Sequence, residues 1–285
     1  MKGIIMLRSE HMIIENQKEV MVVKLPHFET TGLVNHGFST KYGGISKGVY
    51  ESMNLGKNRG DSPYNVEENF NRFCDAIGVP TDTLVFSDQV HDAHVRVVQK
   101  EDKGKGFYRT SDIIGVDGLV TNQVGVTLTT FYADCVPLFF LDPIKKAIGL
   151  SHAGWRGTVK AIGPKTVELM RQTFGSNPKD IMVGIGPSIG ACCYEVSTDV
   201  IKEFENNLNH DIIVRIVSRI NDEHYKLDLW EANRLLLLDA GIDNKNMVVT
   251  DLCTKCHNAY FYSHRFMGNQ RGSLAAMIAL KTTTE

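Results

Sequence analysis

Three short segments carry residues able to do chemistry: Gln89-Val90-His91, Tyr132-Ala133-Asp134-Cys135-Val136-Pro137 and Ser151-His152-Ala153-Gly154-Trp155-Arg156-Gly157. As ligands, His91, Cys135 and His152 give one thiolate and two imidazoles, three protein groups for a zinc ion whose fourth position is left to water or substrate. Open zinc sites of this kind are usually catalytic. A cysteine among Phe, Tyr, Val and Leu is equally at home as a small buried hydrophobe, and a histidine as an ordinary satisfied polar residue. Residue type alone leaves both options standing. His94 would share a helical face with His91 and compete as a ligand, but Val95-Arg96-Val97-Val98 continues as a strand, so His94 is the reserve. Asp134, adjacent to Cys135, could orient a histidine ligand or cap a turn; the same choice applies to Asp117.

These residues need a scaffold of strands. Short β-rich runs recur at Met21-Val22-Val23-Lys24-Leu25, Thr127-Leu128-Thr129-Thr130-Phe131, Pro137-Leu138-Phe139-Phe140-Leu141, Ala147-Ile148-Gly149-Leu150 and Met247-Val248-Val249-Thr250. Helical periodicity falls at 66–76, 165–174, 200–208 and 229–240. Strands and helices do not alternate strictly, so the pattern predicts an α+β sandwich of mixed sheets with packed helices and not a doubly wound parallel sheet. No repeat, low-complexity tract or linker-like run divides the chain, and residues 1–285 are expected to form a single domain. Cys135 is expected between two strands, and His152 just past a strand end. A helical stretch is expected after Gly157, its start kinked or delayed by Gly163-Pro164, with backbone N–H groups placed to favour phosphate.

Charge narrows the partners. With 31 Lys+Arg against 33 Asp+Glu and a formal net charge of -2, nothing supplies the broad positive field that nucleic acid or an anionic membrane demands. A small substrate is expected, with no nucleic acid and no membrane partner. The apolar start Met1-Lys2-Gly3-Ile4-Ile5-Met6-Leu7 is broken by Arg8, Glu10 and His11 before it reaches signal length, so a cytoplasmic protein is expected. Six cysteines are too few for a disulfide framework and should remain thiols. Cys253-Thr254-Lys255-Cys256-His257 has the haem-attachment spacing, but such attachment normally needs export; a structural zinc would need two further ligands. These are expected to be reduced thiols, and Cys192-Cys193 to be packing residues.

Phe38-Ser39-Thr40, Gly43-Gly44, Asn54-Leu55-Gly56, Gly60-Asp61, the three segments above, Gly184-Ile185-Gly186-Pro187 and Phe261-Tyr262-Ser263-His264-Arg265 follow one another in a single order from about Val34 to Ile278. In that order the chain resembles the laccase-domain or polyphenol-oxidase-like family, described as zinc-dependent purine nucleoside phosphorylases. The resemblance implies zinc on His91, Cys135 and His152. It also implies phosphorolysis of inosine, guanosine, adenosine and 5'-methylthioadenosine, together with deamination of adenosine, for which zinc would activate water. Purine nucleoside and phosphate are therefore the expected partners. Asn54 and Arg59 fall in the family's pocket region, where a guanidinium can grip phosphate through two hydrogen bonds. Arg59 and Asp134 are the expected catalytic residues, and His36, Ser39, Lys41, Asn54 and His264 the expected substrate contacts. Lys41 stands where the family commonly has arginine. Phe266-Met267-Gly268 replaces the arginine and acid that often follow in relatives.

Two other chemistries compete. One thiolate and two imidazoles is also the blue-copper ligand set, but multicopper oxidases carry His-x-His pairs and none occurs among the ten histidines; copper is then an adventitious substitute for zinc. Alternatively, Cys135 is a nucleophile with His152 as its base, in a hydrolase acting on peptidoglycan-precursor-like amides. A metal-bound thiolate is not free to attack, so metal content separates the two.

Overall fold

Alternation of side chains along the strands sorts the chain into layers. The computed structural model describes residues 7–282. In chain order the strands are β1 (Ile13–Gln17), β2 (Val20–Lys24), β3 (Val34–Ser39), β4 (Leu84–Phe86), β5 (Val95–Val97), β6 (Gly118–Thr121), β7 (Thr127–Tyr132) and β8 (Val136–Asp142). They continue with β9 (Ala147–Ala153), β10 (Met182–Ile185), β11 (Glu195–Ser197), β12 (Val217–Arg219), β13 (His224–Leu227), β14 (Met247–Val249) and β15 (Leu274–Leu280). One six-stranded sheet runs β1-β2-β3-β15-β7-β4 and a second β14-β10-β8-β9-β6-β5, while β11-β13-β12 form a small third sheet. Both large sheets are mixed: β4 lies parallel to β7 and β5 parallel to β6, whereas β15 is antiparallel to β3 and β7.

Period-two patterning explains the stacking. Phe38, Leu128, Ala276 and Ile278 of the first sheet share a core with Phe139, Leu141, Ile148 and Leu150 of the second. The alternate residues of the same strands face outward. Val20, Val22, Ala275 and Met277 pack against Phe70, Phe73 and Ile77 of the helix Pro63–Ile77, and Val136, Leu138 and Phe140 against the helices Ile162–Phe174 and Leu229–Asp239. The result is helix, sheet, sheet, helix, the mixed α+β sandwich that the sequence pattern predicts. Strands β8, β9 and β15 are covered on both faces, which is why they read as continuous apolar runs.

Some local expectations shift. The helix expected after Gly157 begins at Trp155, lasts only to Val159, and a second begins at Ile162 after Ala161 adopts φ 58°. Pro164 sits in that second helix's first turn, where its missing N–H costs nothing. His152 lies within β9, paired with Pro137, and not beyond its end. The packing role expected of Cys192 and Cys193 is corrected: Cys192 is exposed, and the fold brings both sulfurs to Cys256, at 3.5 and 3.4 Å. No helix among the described residues is long and apolar enough to cross a membrane. The segment Met1–Met6, on which part of the export expectation rests, lies outside the described residues.

The first sheet and its covering helix meet closely at Gly37, where an added Cβ would stand 2.6 Å from Val22 Cγ1 and 2.8 Å from Ile77 Cγ2. Gly37→Ala should lower stability by about 1–3 kcal/mol through overpacking, seen as an earlier denaturant midpoint at unchanged m-value.

Candidate active site and metal centre

The chain passes from the first sheet to the second between β4 and β5, and again between β7 and β8. His91 lies in the first of these connections and Cys135 in the second; His152 comes from β9, next to β8. Three distant stretches of sequence therefore converge where the sheets exchange strands. Their ligand atoms lie within 4.8 Å of one another, and the two imidazole rings stand 4.9 Å apart at 82°. A tetrahedral ion with bonds of about 2.0–2.3 Å is compatible with that gathering. Gly154 leaves the space open: a Cβ there would come 3.1 Å from His91 Cδ2 and 3.2 Å from Cys135 Sγ.

Asp117, fully buried, organises two of the three ligands. Its Oδ1 accepts the backbone N–H of His91 at 3.0 Å, and its Oδ2 those of Val90 and Asp92, each at 3.0 Å. His152 Nδ1 lies 2.8 Å from the same carboxylate, so Nδ1–H donates and Nε2 is left for a metal. The wrapped loop holds His91 at φ 61°, a conformation that non-glycine residues adopt only under tertiary constraint. Burial pushes the Asp117 carboxyl upward, but hydrogen bonds from His152, Asp92 and Val90 outweigh it and hold it below the usual range.

Of the two carboxylates considered for orienting a histidine ligand, Asp117 takes that place, and Asp134 takes the other one considered, fixing a turn. Asp134 Oδ1 accepts Thr254 Oγ1–H and its Oδ2 the Arg265 backbone N–H, both at 2.6 Å, while its own backbone sits at φ 90°. It pins the β7–β8 turn from outside and so aims Cys135. Gln89 does the matching job on the other crossover. Its side chain donates to Phe131 O at 2.8 Å and accepts Phe131 N–H at 2.7 Å, imitating a strand partner for β7.

Without metal, Cys135 and His152 each favour the charged form of the other. Burial raises the Cys135 thiol, but the His152 charge and hydrogen bonds from His152 and His91 bring it net below the ordinary thiol value. Burial lowers His152, and the Cys135 thiolate with Asp117 more than reverses this. A softened thiolate beside an oriented imidazole fits a divalent metal.

Above the ligands opens a cavity of about 540 Å³ lined by His91, Cys135, His152, Arg59, Arg271 and Ser273 together with Phe86, Phe131 and Ile113, a size typical of small-molecule sites. Arg59 is anchored by Nε donation to Ser273 Oγ at 3.2 Å. Arg271 is 7% exposed, its Nη1 donates to Gly272 O, and its Nε has no partner among the described residues. Burial and the neighbouring Arg59 charge pull its guanidinium down to about 10. Two arginines, one of them buried with a spare donor, give this cavity the donor chemistry that suits an anion.

The structure brings Arg59 to the three ligands and does not bring the other expected contacts. His36 Nε2 accepts Leu25 N–H at 2.8 Å deep in the sandwich, where burial and nearby Lys24 hold it neutral, at about 3. Ser39 Oγ accepts Ala275 N–H, and Lys41 Nζ donates to Asn258 O. His264 is exposed and turned to Gly268 O. Asn54 acts indirectly: its Oδ1 accepts the N–H groups of Gly56 and Ser273, both at 2.9 Å, tying the Arg59 loop to the start of β15. His94 Nδ1 contacts Gly115 O, away from the ligand cluster. Sequence reasoning missed Arg271; the one signal available was an arginine between Gln270 and Gly272 just before an apolar strand.

A family model described as multi-copper polyphenol oxidoreductase laccase matches residues 35–281. The purine nucleoside phosphorylase YlmD of Bacillus subtilis is 39% identical over 248 residues, covering 86% of this chain and 88% of that protein. The human purine nucleoside phosphorylase LACC1 is 32% identical over 94% of this chain and 63% of its own length. The crystal structure of YlmD from Geobacillus stearothermophilus superposes with a TM-score of 0.88 at 36% identity, covering 95% of this chain and all of that one.

Two outcomes follow from the geometry. Asp117→Asn should weaken metal retention about 10–100-fold, measured by chelator competition. In metal-stripped protein, alkylation of Cys135, read by peptide mass, should reach half its maximal rate below the pH expected of an ordinary thiol, because the thiolate is already favoured; added metal should protect it.

Proposed function

This chain belongs to the family described as multi-copper polyphenol oxidoreductase laccase, and we propose, from that membership and its pocket, that it is a zinc-dependent purine nucleoside phosphorylase. Inosine, guanosine, adenosine and 5'-methylthioadenosine are the proposed substrates, with adenosine deamination as a second reaction. The proposal treats residues 1–285 as one domain in the cytoplasm, where its thiols stay reduced. The observation that carries it is the pairing of Arg59 with the buried, under-partnered Arg271 in the same cavity as His91, Cys135 and His152.

Phosphorolysis needs phosphate held close to the anomeric carbon while positive charge develops on the ribose. Arg59 and Arg271 supply a bipartite guanidinium cradle for that anion. Phe86 and Phe131, in edge-to-face contact at 4.8 Å, offer an apolar wall against which a purine can pack. His91, Cys135 and His152 would hold the zinc, which supplies Lewis acidity at the site. The same donor set accepts copper, so phenol oxidation is a side activity of adventitious loading. The thiolate and imidazolium pair of the metal-free site favours one further reading, a cysteine hydrolase, which requires Cys135 to be metal-free in the active protein.

Chromatography of inosine and adenosine incubated with metal-quantified protein, with and without phosphate, tests this directly. Hypoxanthine release should depend on phosphate and vanish in Cys135→Ala. Arg271→Ala should raise the phosphate KM by about 10-fold or more, the loss of a charged hydrogen bond. Zinc-loaded wild type that releases no base and deaminates no adenosine would overturn the proposal.

A further inference from the structure

Cys192, Cys193, Cys253 and Cys256 place four sulfur atoms within 4.8 Å of one another, in a cluster separate from the active-site ligands. Two come from the turn that follows β10 and two from the C-x-x-C turn that follows β14. The Cys256 sulfur lies 3.5 Å from that of Cys192 and 3.4 Å from that of Cys193. Four thiolates around a tetrahedral ion at about 2.3 Å stand roughly 3.8 Å apart. The observed spacing is near that value.

The backbone is arranged as a thiolate cradle. Gly190 N–H donates to Cys253 Sγ at 3.3 Å. Ser188 and Cys253 form an isolated bridge, and Thr254 N–H donates to Ser188 O at 3.0 Å, locking the two turns together. Lys226 Nζ, donating to Cys192 O at 3.2 Å, brings positive charge beside a group that would carry a net negative one. Nothing in the proposed phosphorolysis uses any of these four residues.

We propose that the four cysteines form a second metal centre, a closed tetrathiolate site that binds zinc and is structural. Four thiolates select a soft tetrahedral ion, and full coordination by protein leaves no position for substrate. The site has a mechanical link to the first. Thr254, held between two of its ligands, donates to Asp134, and Asp134 sets the turn that presents Cys135. Zinc at the closed centre therefore fixes the segment that aims an open-centre ligand.

The test is zinc counting on protein purified under reducing conditions, combined with cobalt substitution. Wild type should hold two zinc ions per chain, and Cys135→Ala/His152→Ala should keep one. Cobalt in that double variant should give the intense, red-shifted ligand-field bands and sulfur-to-metal charge transfer of four thiolates. Cys192→Ser/Cys256→Ser should lose one zinc and melt at lower temperature. If that variant does not fold, the cobalt spectrum of the Cys135→Ala/His152→Ala protein decides the matter. A Cys135→Ala/His152→Ala protein that carries no metal, with four freely titrating thiols or a disulfide among these cysteines, would overturn the proposal.

Discussion

One buried carboxylate, Asp117, holds the candidate active site together. It accepts three successive backbone N–H groups from Val90 to Asp92 and the Nδ1–H of His152, so a single side chain dictates both the path of one crossover loop and the rotation of a ligand on β9. A buried donor left without its acceptor costs about 1–3 kcal/mol, and here four donors depend on one residue. That concentration of partners is what keeps His91 in a left-handed conformation that its side chain disfavours.

The two-sheet architecture explains why the site lies where it does. A chain that must leave one sheet and enter the other cannot keep regular pairing through the step, so the connections at 87–94 and 133–135 are the places where irregular backbone is unavoidable. Both are then stabilised by side chains: Gln89 replaces a missing strand partner at β7, and Asp134 accepts from Thr254 and Arg265. Ligands placed at those points are held by the rigid strands on either side while facing a cavity that the sheets themselves could not provide. His36 and Ser39 show the opposite fate. They sit on β3, between β2 and β15, and His36 Nε2 and Ser39 Oγ are spent on the backbone N–H groups of Leu25 and Ala275.

Much of this was legible locally, because apolar runs and metal-capable residue types are local signals. The run Pro137–Leu141 lies inside β8, and the periodic stretch 66–76 inside the helix Pro63–Ile77. Long-range pairing was not legible: no local pattern tells β15 to insert between β3 and β7. The same limit leaves Asp134 and Asp117 each open between orienting a histidine and capping a turn, a choice decided only by contacts distant in sequence. It also hid the meeting of Cys192 and Cys193 with Cys253 and Cys256, some sixty positions away. Arg271 was hidden for another reason: in a polar stretch before a strand, an arginine reads as solvated until its burial is seen.

Arg271 also exposes a conflict between stability and binding. A guanidinium 7% exposed, beside a second arginine and with Nε unpartnered among the described residues, is a poor arrangement for the folded state alone, since desolvation and like charge both oppose it. Burial and Arg59 together depress its guanidinium to about 10, the electrostatic signature of that conflict. A bound anion reverses both terms at once: it satisfies the spare donor and screens the two guanidinium groups from each other. For the proposed phosphate, the free energy withheld from folding at this position would be recovered on binding, which would favour a compact anion with acceptors on more than one side over a neutral ligand of the same size.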